Sequence, residues 1–96
     1  MKAYWIAFVD IDDPRQYARY MEQSPTALQQ YGARILARGS EMTALEGFDK
    51  TPDRAVVFEF DSYEQALACY HSDAYQQARQ HRLEVASAHI VILKGQ

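Results

Sequence analysis

The sequence predicts an α+β fold of the ferredoxin-like kind: elements in the order β-α-β-β-α-β, one antiparallel sheet, and both helices on the same face. Three observations predict it. Four apolar segments rich in aromatic or β-branched residues, Ala3–Val9, Ala33–Arg38, Arg54–Phe60 and Ala88–Leu93, are spread from one end of the chain to the other. Two stretches of helical periodicity, each preceded by capping residues, separate the first strand from the second and the third from the fourth. The two β-α-β halves are of similar length, which suits a single folding unit spanning residues 1–96.

The first strand, Ala3–Val9, is apolar on both sides: Tyr4, Ile6 and Phe8 alternate with Ala3, Trp5, Ala7 and Val9. Asp12, Asp13 and Pro14 then start a helix, an aspartate as cap and the proline in the first turn. Tyr17, Tyr20, Met21, Leu28 and Tyr31 mark one face of that helix. Pro25 lacks an amide hydrogen, so a kink or break is expected near Gln23–Ser24, and Gly32 stops the helix. In the second strand Ala33, Ile35 and Ala37 should share one side, and Arg34, Leu36 and Arg38 the other. After a bend at Gly39-Ser40 the segment Met42–Glu46 is expected to resume a strand, and 47–53 has loop chemistry. Arg54–Phe60 is the clearest strand. Ser62-Tyr63-Glu64-Gln65 reads as a reciprocal capping box opening the second helix, and Ser72 as a fresh cap that restarts it. Tyr75, Ala78, Arg79 and Arg82 fall on one stripe of that restarted helix. Ala88–Leu93 closes the chain as another strand apolar on both sides.

Composition excludes several classes. Ten basic against 13 acidic residues give a net charge of −3, and the basic residues are scattered, so no stripe exists to neutralise nucleic-acid phosphates. The apolar N-terminal run ends at Asp10, too short to span a bilayer and without a cleavage signal; no membrane partner and a cytoplasmic location are expected. The one cysteine, Cys69, permits no internal disulfide and reads as a buried core residue. Without paired cysteines, an H-E-x-x-H pair, an Asp-rich loop or a phosphate-binding glycine loop, neither a metal site nor a cofactor is expected.

A sheet covered by helices on one side alternates when its other side is wet. The first and last strands do not alternate, and exposing such side chains costs ~1.5–3 kcal/mol each. No segment looks long enough to fold beneath the sheet, so a second copy of the chain, packed sheet to sheet, is the expected cover.

Tyr4-Trp5-Ile6-Ala7, Asp13-Pro14 with Tyr17, Arg38-Gly39, Leu45-Glu46-Gly47, Arg54 with Val56–Phe60, and Tyr70-His71-Ser72 with Tyr75, taken as a set from Lys2 to Gly95, resemble the family named "domain of unknown function 1330". Asp73 departs from its common pattern, in which a proline often follows His-Ser; either residue suits a first helical turn. The resemblance implies a ferredoxin-like subunit that dimerises into an α+β barrel. It places the chain in a superfamily that includes cofactor-free monooxygenases, small lyases, decarboxylases and stress-inducible proteins. It brings no catalytic residue with it.

Candidate chemistry rests on charged and phenolic side chains in apolar settings. Glu59 interrupts an apolar strand, where a carboxylate must pair or shift its ionisation; it is either a general base or the partner of Arg38, Arg54 or another arginine. His71, at a helix junction, is either a proton carrier or a local cap. Tyr75, Arg79 and Arg82 on one stripe suit a carboxylate or phosphate, or else the arginine stems simply cover the ring. Tyr17 and Tyr70 are the tyrosines kept as pocket candidates, and Arg38 as an anchor. The expectation is therefore a small cytoplasmic homodimer that binds a small organic molecule in an apolar, Tyr-lined pocket. One reading makes it a cofactor-free enzyme of monooxygenase, isomerase or lyase type with His71 or Glu59 moving the proton; the other makes it a non-catalytic binding or stress-related module.

Overall fold

The computed structural model describes all 96 residues, Met1–Gln96. Its elements are β1 (Ala3–Ile11), α1 (Pro14–Gln30), β2 (Arg34–Gly39), β3 (Arg54–Phe60), α2 (Tyr63–His71), α3 (Asp73–Gln80) and β4 (Ala86–Lys94). The four strands form one antiparallel sheet in the order β2-β3-β1-β4, so both central strands come from opposite halves of the chain. This is the ferredoxin-like arrangement.

Local chemistry sets the helix boundaries. Asp13 accepts from the amides of Arg15 and Gln16 and Pro14 occupies the first turn. The break expected near Ser24 does not occur: α1 runs unbroken through Pro25. Ser24 is buried against the core, and packing of this face holds the helix across the missing hydrogen bond. Gly32 ends α1 with φ of 77°, a conformation that favours glycine, and a Cβ there would also meet Gln65 Nε2 at 3.1 Å. Ser62 caps α2 through the Gln65 amide. The return half of the capping box is absent, because the Gln65 side chain donates instead to the Tyr31 carbonyl and ties α2 to the end of α1. Ser72 caps α3 by accepting from the Tyr75 amide, so the restart lies where the sequence puts it.

Residues 42–46 do not resume a strand; the chain is irregular from Ser40 to Asp53. Ion pairs of Lys50 with Asp10 and Asp53, and the Asp53 carboxylate accepting from the Ile11 amide, hold this loop against the end of β1. A further correction concerns β2. A bulge between Ile35 and Ala37 leaves Leu36 without a partner, so Ala37 faces Val57 and Arg38 faces Val56. The expected strict alternation is broken, and Arg38 shares a side with Ile35 rather than with Arg34.

The core lies between the helices and one sheet face. Ala3, Trp5 and Ala7 of β1, Phe60 of β3, Ala27 and Leu28 of α1, Ala66 and Cys69 of α2 and Tyr75 of α3 form it. Trp5, 1% exposed, stands at its centre, stacked on Phe60 and edge-on to Phe58 and Tyr75. The opposite face carries Tyr4, Ile6 and Phe8 of β1, Val57 of β3, and Val91 and Leu93 of β4, which are 59% and 57% exposed. It is not wholly bare: Phe48 from the long loop meets Phe8 edge-on at 5.5 Å. The expectation that no segment reaches this face is corrected to that extent, at one end of the sheet. No helix is long and apolar enough to cross a membrane.

Candidate functional site

A cavity of about 120 Å³ opens between α1 and the helix-covered side of the sheet. Its walls are Trp5, Leu28, Ile35, Phe58 and Ile90 with the rings of Tyr17 and Tyr20. Its charges are three guanidiniums, those of Arg38, Arg54 and Arg82, and it contains no aspartate, glutamate, histidine or cysteine. The volume is of the order of the ~150 Å³ apolar hole that admits one benzene ring.

Each arginine arrives by a different route. Arg54 opens β3 on the same side as Val56 and Phe58. Arg38, which stays exposed, is brought to the cavity side of the sheet by the Leu36 bulge. Arg82 follows α3 and is only 5% exposed. Every ion pair in the structure belongs to Lys2, Arg34 or Lys50, so none of the three has a carboxylate. Arg82 instead lies 5.2 Å over the Tyr20 ring and donates from Nη2 to Tyr75 Oη at 3.2 Å, while its Nε is buried without a partner. Burial works against that charge, but the adjacent Tyr75 and Tyr20 hydroxyls outweigh it and hold the guanidinium pKa above its ordinary value. Burial, then Tyr20, pushes the Tyr17 phenol up, so it stays protonated at neutral pH.

A second, wider cavity of about 460 Å³ lies beyond Arg82, beside α2, α3 and β4. It holds Tyr63, Tyr70, His71 and Arg79, with Ile90 and Ile92 as floor, and Arg82 borders both cavities. Arg79 Nε is also buried without a partner; its Nη1 reaches Gln76 at 3.5 Å.

The structure thus gathers Tyr17, Arg38 and Arg82 around one cavity and Tyr70, His71, Arg79 and Arg82 around the other. Tyr75 sits between helix and sheet, fully buried, in contact with Arg82 and lining neither. Glu59 is apart from all of them, on the open sheet face, where it accepts from Arg34 and Tyr4. His71 and Glu59 therefore do not converge. Sequence reading passed over Tyr20 as a site residue and took Arg54 only as an ion-pair partner. The signals were there: Tyr20 is three residues beyond Tyr17 on one helical face, and Arg54 alternates in phase with Val56 and Phe58. Cys69 is buried, its thiol pushed up to about 11 by burial, with the Ala27 carbonyl, 3.8 Å away, as its one hydrogen-bond partner. No group of three or more His, Cys, Asp or Glu side chains is placed to hold a metal ion.

The model of the family described as "Domain of unknown function (DUF1330)" matches residues 2–96. The chain belongs to that family. No curated protein is significantly similar to this DUF1330 chain in sequence. Solved structures share its fold. SnoaB, a cofactor-independent oxygenase from Streptomyces nogalater, superposes with a TM-score of 0.69 at 5% identity, over 99% of this chain and 93% of that one. A hydroxynitrile lyase from Passiflora edulis gives 0.72 at 13% identity, over 99% and 94%. A dimeric ferredoxin-like protein of unknown function from Bacteroides fragilis gives 0.60 at 15% identity, over 98% and 96%. At these identities the likeness establishes the DUF1330 fold and no reaction.

Proposed function

We propose that this chain binds a small organic anion, a carboxylate, phenolate or enolate on a compact apolar body, in the cavity beneath α1, as one subunit of a homodimer. The observation that carries the reading is three arginines around an apolar cavity with no acid to neutralise any of them. Arg82 is the buried one of the three, Arg54 being half-buried and Arg38 exposed; a buried cation without a counter-charge is costly to the folded chain, and an anionic ligand removes that cost. The apolar walls set the other half of the specificity, since they offer a ring or alkyl group contact and no polar partner.

The dimer is supported by the half-bare open face, with Val91 and Leu93 exposed beside Ile6 and Val57, and by the dimeric Bacteroides fragilis protein of the same fold. Phe48 covers only the Phe8 end, and a two-fold copy of the same face is the self-complementary cover for the rest. The single cysteine, free and buried, supports a reducing, cytoplasmic setting.

An enzymatic version has its own support. His71, Arg79 and Arg82 border one cavity, so an anion held by the arginines there would have an imidazole at hand for proton exchange, as a cofactor-free lyase or isomerase needs. Binding is the stronger reading, because the better enclosed cavity offers no imidazole, carboxylate or thiol to move a proton.

Trp5 is the only tryptophan and lines the first cavity, so its fluorescence reports occupancy directly. Benzoate is expected to raise Tm in a saturable way and to change Trp5 emission, whereas the neutral isostere benzamide does neither. Equal responses to the two, or none to benzoate and other small carboxylates, overturns the reading.

A further inference from the structure

Between the two cavities the structure contains a three-membered hydrogen-bond chain whose direction is fixed by chemistry. Tyr75 Oη has two partners: Arg82 Nη2 at 3.2 Å and Tyr20 Oη at 2.7 Å. A guanidinium only donates, so Tyr75 Oη is the acceptor at the first contact. The second contact is formally reversible, because each hydroxyl can give or take.

Burial decides it. Tyr75 is fully buried and its phenol is pushed far above the ordinary tyrosine range, first by burial and then by Tyr20, so it keeps its hydrogen. Were Tyr20 the donor, the Tyr75 hydrogen would have no acceptor in a site closed to water, at the cost of an unsatisfied buried group. Tyr75 therefore donates to Tyr20. The Tyr20 hydroxyl hydrogen is left over; it makes no other hydrogen bond, and Tyr20 lines the first cavity whereas Tyr75 does not. A chain that begins on a cation and passes through two hydroxyls polarises its last O–H, which strengthens that donor toward an anionic acceptor.

We propose that the Tyr20 hydroxyl is the donor that receives the ligand's oxyanion, oriented by Tyr75 and polarised through it by Arg82. This rests on the anion-binding reading of the first cavity and narrows it. Arg82, Tyr20, Arg38 and Arg54 bring donors around the same space, three of them charged, and the only groups there able to accept are neutral, on Tyr17, Ser24 and Gln29. The cavity selects an oxygen that only accepts, a carboxylate, enolate or phenolate. Neutral alcohols and amines, which bring no charge to the guanidiniums, bind more weakly. In this scheme Tyr20 touches the ligand and Tyr75 is a positioning residue. The ring of Tyr20 is fixed independently, by Tyr17 at 5.4 Å and by Arg82 above it, so removing its hydroxyl leaves the wall of the cavity standing.

The test uses the full chain and 4-nitrophenol, whose ionisation is visible by absorbance, with 4-nitroanisole as the neutral control of nearly the same shape. Wild type is expected to prefer the phenolate and to shift ionisation of the bound dye to lower pH than in solution. Tyr20→Phe is expected to weaken phenolate binding about tenfold, move the bound dye's ionisation back toward the free value, and leave 4-nitroanisole binding unchanged. Tyr75→Phe, which never meets the ligand, is expected to move the ionisation in the same direction by less. It keeps the test decisive where Tyr20→Phe fails to fold. Phenolate affinity and dye ionisation unchanged in either variant overturns the relay and leaves the anion cavity intact. A wild-type protein without preference for phenolate over 4-nitroanisole overturns the cavity reading, and the relay falls with it.

Discussion

Arg34 Nε donates to Glu59 Oε1 across 3.0 Å, between residues that stand directly opposite on β2 and β3. Tyr4 Oη, from the other flanking strand, donates to Glu59 Oε2 at 3.3 Å, and Arg34 also reaches Asp61. The carboxylate that looks stranded in an apolar strand is thus satisfied from both neighbours, on the sheet face away from either arginine-lined cavity. Glu59→Gln keeps the shape of these contacts and removes the charge. It is expected to lower Tm by a few degrees, by less at high salt, and to leave benzoate affinity unchanged. A loss of benzoate binding in the folded variant would return Glu59 to the site.

Val91 and Leu93 project from β4 on the open face and pair in register with Ile6 and Tyr4 of β1. A two-fold sheet-to-sheet interface carries a charge at either position twice and buries it among the apolar side chains of this face. Wild type is expected to sediment as a dimer at micromolar concentration, and Val91→Glu with Leu93→Glu as a monomer of unchanged circular dichroism. A wild type that sediments as a monomer sinks the dimer.

The fold was legible because its signals are local. Continuous apolar runs, Asp13, Ser62 and Ser72 as caps and Gly32 as a stop each depend on a few neighbouring residues, and the structure uses all of them. The failures are tertiary. Pro25 would break an isolated helix, and packing of the buried Ser24, Ala27 and Leu28 keeps α1 whole. Met42–Glu46 has strand composition, yet it pairs with neither edge strand of the sheet, β2 or β4. Gln65 has the spacing to close a capping box and is diverted by a carbonyl 34 residues away. The arginines of the site were visible as residues and invisible as a set, since Arg38 joins the others only through a bulge that no alternation pattern reveals.

Arg82 is buried with a phenol and an aromatic face in place of a carboxylate. Such a charge costs the unliganded protein stability that a flexible apolar side chain of similar length would not. Arg82→Met is accordingly expected to leave Tm of the free protein unchanged or to raise it, with a gain of up to about 1–4 kcal/mol. Benzoate affinity should fall tenfold or more in the same variant. Chemical denaturation and Trp5 fluorescence read the two effects separately. A free protein clearly destabilised by the change, or binding that survives it, contradicts the assignment of Arg82 as a ligand-facing charge.

Cys69 stays a thiol because burial pushes its pKa up to about 11, from 9.0 in the exposed reference. The unfolded chain therefore releases this proton before the folded one does. The sign follows from linkage: the contribution to stability is whole below about pH 9 and is lost as pH rises from there toward about 11. Tyr17 and Tyr75, also raised by burial, add to the same decline above about pH 10. Cys69→Ala lowers stability at every pH by loss of packing, but it is expected to flatten the fall between pH 9 and 10. Urea denaturation at pH 7, 9 and 10 checks this; parallel curves for the two proteins would mean that the thiol is not held in its neutral form.

Leu36 is the extra residue of β2, and its effect on Arg38 is separable from its own side chain. Ile35 stands opposite Phe58, and Ala37 opposite Val57, so the strand pairing on either side of the bulge is already continuous on β3. Deleting Leu36 joins Ile35 to Ala37 without changing the partner of any remaining residue, and it keeps Arg38 opposite Val56 on the cavity side. Had β2 been regular with Leu36 in place, Arg38 would stand opposite Ala55 and face away from the cavity. The deletion variant is therefore expected to fold, with a Tm within a few degrees of wild type, and to bind benzoate as before. Leu36→Ala, which keeps the bulge, should behave alike. If the deletion variant folds but loses benzoate while Leu36→Ala binds it, the strand has slipped by one residue and the pairing that brings Arg38 to the cavity side depends on the bulge itself, against the register described here.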